Sequence, residues 1–152
     1  MMGHYAGAVL ALAVFSAQES VEQLRSRMAS ENDLIRKARY AVRAAELQLE
    51  AGRKKYKDGY PEDGQKLVED LLALVEQAYD WLGDTGRDPR KRPAGFKDTE
   101  IKLRKMVKAL EELRLSMPAD ERPPLEKVQK RLREIGEDLL LGVMRVKKKE
   151  GL

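Results

Sequence analysis

The side chains of this chain that can do chemistry are mostly cations and carboxylates, and the cations are the more concentrated. Arg87, Arg90, Lys91, Arg92 and Lys97 lie in one stretch, Arg87-Asp88-Pro89-Arg90-Lys91-Arg92-Pro93-Ala94-Gly95-Phe96-Lys97, which also holds two prolines. Cations on a semi-rigid loop suit a polyanion: an acidic envelope polymer, anionic lipid head groups or nucleic acid. Phe96 supplies a ring able to stack or insert. Lys102, Arg104, Lys105 and Lys108 continue the basic run, and residues 145–152 form a basic tail containing Arg145, Lys147, Lys148 and Lys149. A solvated linker and tail would share this composition. No nucleic-acid motif accompanies the cations, so a nucleic-acid partner is disfavoured.

Carboxylates cluster at Glu46/Glu50, Glu62/Asp63, Glu69/Asp70, Glu111/Glu112 and Glu134/Glu137/Asp138. Two acids held across a cleft can hydrolyse a glycoside. Here the last cluster interleaves with Lys130, Arg131 and Arg133, the pattern of ordinary pairing on a helix surface. Arg36, Arg39 and Arg43 could likewise grip phosphate, but Glu46 and Glu50 continue their side and favour a salt ladder. Among 152 residues there is one histidine, His4, and no cysteine. That excludes disulfides, thiolate catalysis, cysteine-ligated metals and any site needing two imidazoles. Aromatic residues are only 5% of the chain, too few to line a typical small-molecule pocket. The expectation is a non-enzymatic protein with no catalytic residue, cofactor or metal.

Residues 1–18 contain no charged side chain, and Tyr5 to Phe15 form a run of apolar and small residues ending at Ser16-Ala17. Such a run resembles the apolar core and cleavage zone of a secretory signal peptide, although the preceding residues hold no Lys or Arg. Residues 1–17 are therefore read as a signal peptide and 18–152 as one helical domain, periplasmic or secreted. Membrane contact is expected only through that transient leader. Left uncleaved, the run would return to the fold of a cytoplasmic protein, together with His4.

These groups need elements to position them, and the apolar spacing is helical throughout. Between Glu19 and Lys57, Val21, Leu24, Met28, Ile35, Ala38, Val42, Ala45, Leu49, Gly52 and Tyr56 alternate steps of three and four, broken where Glu31 occupies the seam. This predicts one long helix of coiled-coil-like periodicity, on the order of 60 Å if continuous. Ser30-Glu31-Asn32-Asp33 has N-cap chemistry and marks where it can bend or restart. Pro61-Glu62-Asp63 opens a second helix, whose broad stripe from Leu67 to Leu82 predicts contacts on two sides and a central position. Residues 83–98 are a loop. A third helix is expected from Asp98 or Thr99 to Met117 and a fourth from Pro123. No segment alternates as a strand does. The fold class is all-α: an up-down bundle of about four helices arranged as two αα-hairpins, the first helix with the second and the third with the fourth.

Charge is unevenly spread. Residues 19–57 carry ten basic and six acidic groups, 58–82 one and seven, and 83–152 nineteen and thirteen. An acidic second helix between basic neighbours reads as internal complementarity, so the overall +4 is weak evidence for an acidic partner. Ile35, Val42, Leu49 and Tyr56 on the long seam, with Trp81 at the end of the second helix, are candidate helix-interface residues. Leu139-Leu140-Leu141-Gly142-Val143-Met144 is apolar on all sides, which predicts either cover by an overhang of the first helix or an oligomer contact. The function expected first is an extracytoplasmic scaffold acting through protein partners or a homo-oligomer. The alternative is a polyanion-binding protein using residues 87–97.

Overall fold

The computed structural model describes residues 19–144; the apolar run and the basic tail lie outside the described residues. Five α-helices pack against one another, and no strand occurs among the described residues. They are α1 (Val21–Ser30), α2 (Leu34–Lys57), α3 (Pro61–Asp84), α4 (Phe96–Ser116) and α5 (Arg122–Met144), with a 3₁₀ turn at Ala119–Glu121 before the last.

The single long first helix is corrected to two. Glu31 is extended (φ −87°, ψ 127°) and its carboxylate accepts a 3.1 Å hydrogen bond from the Asp33 N–H. Asp33 then caps α2 by accepting from the Arg36 N–H at 2.9 Å, a bond that holds its carboxyl below the usual range. The chain folds back at this point. Arg27 and Tyr40 are thirteen residues apart, about 20 Å along a continuous helix, yet the Arg27 guanidinium stands 6.0 Å from the Tyr40 ring centroid. The break coincides with the one seam position that lacks an apolar residue. A charged side chain there cannot be buried without a partner, so the backbone turns instead.

Fold-back places both halves of the seam on one core. Leu24 and Met28 of α1 are buried together with Ile35, Ala38, Val42, Ala45 and Leu49 of α2. Ala41 and Ala44 are buried as well, so α2 is covered on more than its seam. It contacts α1, α3 and α4, while α3 packs on two sides, as its broad stripe predicts, against α2 and α5. Small residues let α2 and α3 approach closely. A Cβ on Gly52 would stand 3.3 Å from Val68 Cγ2, and one on Gly64 only 2.7 Å from the Tyr56 ring. An acidic α3 also ties its neighbours: Asp70 accepts from Arg25 of α1 at 2.7 Å, and Glu76 from Arg131 of α5 at 3.1 Å.

The second pair is α4 with α5, packed through Leu103, Met106, Leu110, Leu125, Val128, Leu132 and Ile135. Buried Gln129 donates to Glu111 Oε2 at 2.9 Å; the Arg114 guanidinium, and after it this bond, hold the Glu111 carboxyl down at about 2. Polar ties join the two pairs. Lys102 Nζ meets Glu46 at 3.0 Å, and Arg39 meets Asp98 at 2.9 Å, both between α2 and α4. No described helix is long and apolar enough to cross a membrane.

Candidate functional site

The cations at 87–97 occupy the connection between α3 and α4, and local chemistry holds it in shape. Thr85 Oγ1 donates to the Leu82 carbonyl at 2.6 Å and accepts from the Arg87 N–H at 3.2 Å. Asp88 organises the next turn: its carboxylate accepts from the Arg90 N–H at 3.0 Å, and its carbonyl from the N–H groups of Lys91 and Arg92 at 3.1 and 3.0 Å. Gly95 closes the loop in the left-handed region (φ +88°), where Ile35 and Leu82 leave no room for a side chain.

With their backbone committed, Arg87, Lys91, Arg92 and Lys97 are exposed and Arg90 is half-buried. None of the five, nor Lys105 or Lys108 farther along α4, forms an ion pair among the described residues. Three carboxylates close in sequence are engaged, while Asp80, Asp84 and Asp138 line the groove beside Arg87. Asp88 caps its own turn, Asp98 pairs with Arg39, and buried Glu100 accepts from Arg104 Nη2 at both carboxylate oxygens, at 2.6 and 2.7 Å. Lys97 also sits in the first turn of α4, and Gly95 at the N-cap supplies no side-chain cap. A cation there opposes the helix dipole, so the placement is unfavourable for the isolated helix and favourable toward an anion.

Phe96 is not available to stack on a ligand. It is 5% exposed and starts α4 by entering the core, which is why the helix begins before the expected Asp98. The candidate interface residues are placed apart from the cations. Ile35, Val42 and Leu49 are buried in the chain's own core, Tyr56 is half-buried over Gly64, and half-buried Trp81 lies under Lys37, whose Nζ is 4.8 Å from the ring. Only Ile35 reaches the basic loop, through Gly95.

Two neighbours of the loop escaped sequence reasoning. Pro89 rests against Gly142, and Arg87, Pro89, Tyr79, Leu82 and Leu141 share a groove of about 940 Å³. The apolar end of α5 is not covered by the first helix: Leu139 is buried, but Leu141 is 50% and Met144 64% exposed. The signal was the run at 139–144, although its spacing could not reveal which side chains stay outside. Across the same groove the Tyr79 hydroxyl donates to Asp138, and that bond pushes the phenol up to about 12. No group of three or more Asp, Glu, His or Cys converges as a metal site among the described residues. No protein family, curated protein or solved structure matches this chain.

Proposed function

We propose that this protein is a non-enzymatic helical module that binds a polyanion through Arg87, Arg90, Lys91, Arg92 and Lys97, with Lys105 and Lys108 extending the surface. The observation that carries the reading is a loop of five cations whose backbone is held by Asp88 and Gly95 and none of which forms an ion pair among the described residues. Preorganised charge loses little entropy on binding. The absence of cysteine, and of any histidine after His4, supports the non-enzymatic part. An extracytoplasmic site of action rests on the apolar run at residues 5–15 and is tested by cell fractionation with intact mass.

The experiment is titration with inorganic polyphosphate at low and moderate salt. Affinity is expected to fall steeply with salt, and by about a hundredfold when Arg90, Lys91 and Arg92 become Ala, near a fivefold loss for each cation. Salt-independent binding, or none, overturns the proposal.

A second reading, helix-mediated pairing with another copy, is supported by one feature. Leu103, Val107, Leu132, Gly136 and Leu140 line an apolar channel of about 290 Å³ between α4 and α5. Its test is a concentration-dependent dimer in sedimentation that Val107→Asp abolishes. Val42→Asp or Leu49→Asp would not serve, because burying a charge in the core unfolds the chain.

A further inference from the structure

The basic loop and the exposed end of α5 are usually opposite kinds of surface, yet here they touch. Pro89 packs on Gly142, and Leu141 lines the same groove as Arg87, a groove that Asp80, Asp84 and Asp138 also line, while Arg90, Lys91 and Arg92 lie outside it. Only four large apolar side chains are strongly exposed among the described residues, and two of them, Leu141 and Met144, are on the last turn of α5, where Leu141 lines the groove beside Arg87. Five cations and one carboxylate occupy 87–97, and the sequence continues past Met144 with Arg145, Lys147, Lys148 and Lys149. A soluble polyanion has no use for the two apolar side chains. A bilayer surface has: its headgroup layer takes cations while the acyl boundary takes apolar groups a few ångströms deeper.

We infer that this end of the molecule docks on an anionic lipid surface. Arg90, Lys91 and Arg92 meet the headgroup phosphates while Leu141 and Met144 enter the acyl boundary. No described helix crosses the bilayer, so the contact is peripheral and reversible. Its chemistry is electrostatic attraction completed by a small apolar insertion, each part weak alone. The inference rests on the polyanion reading and adds a source for the anion.

The full chain is tested by co-sedimentation with two kinds of vesicle, phosphatidylcholine alone and phosphatidylcholine with an equal share of phosphatidylglycerol, beside titration with polyphosphate. Binding is expected to the anionic vesicles only. The double variant Leu141→Ser/Met144→Ser should weaken vesicle binding by about tenfold and leave polyphosphate binding unchanged. The triple variant Arg90→Ala/Lys91→Ala/Arg92→Ala should weaken both by about a hundredfold. None of the five residues is buried, and circular dichroism checks that each variant keeps its helix content. Polyphosphate binding without vesicle binding overturns this inference and leaves the polyanion reading standing. Failure of both kinds of binding sinks the two together. Vesicle binding that Leu141→Ser/Met144→Ser does not change overturns the apolar half of the contact, and with it the lipid assignment.

Discussion

The two ends of the helix array share their ingredients and differ in how these are held. At the end just described, 87–97 carries five cations and one carboxylate, and Leu141 and Met144 are exposed. At the other end, where α2 turns into α3 and α4 into α5, residues 53–63 carry four cations and three carboxylates, with Tyr60 57% and Leu115 62% exposed. There the charges cancel locally. Arg53 faces Glu50 at 3.4 Å, and Glu112, Glu121 and Asp58 share a cleft of about 890 Å³ with Arg53, Lys54 and Lys57. Opposite charges within a Debye length of ~8 Å leave little field outside. At the loop end Arg87 likewise shares its groove with Asp80, Asp84 and Asp138, so the difference lies in Arg90, Lys91, Arg92 and Lys97, which stand outside that groove. The glycines show the same contrast. Gly95 (φ +88°) is wedged against Ile35 and Leu82, whereas Gly59 (φ +87°) has nothing within 4 Å of its would-be Cβ. One turn is anchored to the core and the other is free.

The largest expected effect breaks that anchor. Gly95→Ala adds a Cβ 2.9 Å from Ile35 Cγ2 to a left-handed backbone. Strain and overpacking together should cost about 3 kcal/mol. Gly59→Ala carries the backbone cost alone, about 1 kcal/mol. Urea midpoints at unchanged m-value read the difference, and equal losses would mean that the loop is not held by the core.

Next comes charge. Lys54→Ala/Lys55→Ala/Lys57→Ala removes as many cations as the 90–92 triple variant does, but from the balanced end. It should weaken polyphosphate binding by less than about threefold, against about a hundredfold for the loop. Similar losses from both triples would reduce the surface to net charge.

The tyrosines sharpen the comparison at smaller scale. Tyr79, beside the loop groove, is pushed up to about 12 chiefly by its hydrogen bond to Asp138. Tyr56, at the other end, is raised chiefly by burial, with Glu121 and Glu69 adding to it. The folded Tyr79 phenol keeps its proton above its unfolded value of about 10. Its stabilising contribution is therefore intact below pH 10 and is lost as pH rises toward 12. Tyr79→Phe should cost about 1 kcal/mol at neutral pH and remove the latest-titrating component of the ultraviolet tyrosinate curve. If that component survives, the hydrogen bond is not its cause.

Least affected should be Tyr60→Ser/Leu115→Ser. With both side chains mostly in solvent, stability should move by no more than about 0.5 kcal/mol and vesicle binding should not change. A loss of vesicle binding there would assign the lipid contact to the wrong end.

Much of this architecture was legible in the residue pattern, and the exceptions have physical causes. Pro61 with Glu62 and Asp63 marked the start of α3 because the ring suits the first helical turn and the acids suit its dipole. The seam of α2 was visible because a 3.6-residue period writes one apolar face into the sequence. Its use was not visible: Ile35, Val42 and Leu49 look the same whether a partner chain or the neighbouring helix buries them. Glu31 interrupted the seam in plain sight, but only the fold-back of Arg27 onto Tyr40 shows that the chain reverses there instead of bending. The basic loop was equally plain as composition, while the burial of Phe96 within it was not.

Local pattern specified the all-helical class, the turn just before Pro61, the loop between α3 and α4, and the poverty of catalytic side chains. These follow from local propensity, apolar period and residue inventory, which act over a few residues. Only the tertiary structure decided that the first segment is two helices and that its apolar seam lies within the chain's own core. It also decided which carboxylates neutralise which cations, and that Leu141 stands exposed beside Arg87 and Pro89, with Met144 exposed three residues on. Those outcomes depend on contacts between residues far apart in the chain, and a periodic pattern specifies a face without specifying what covers it.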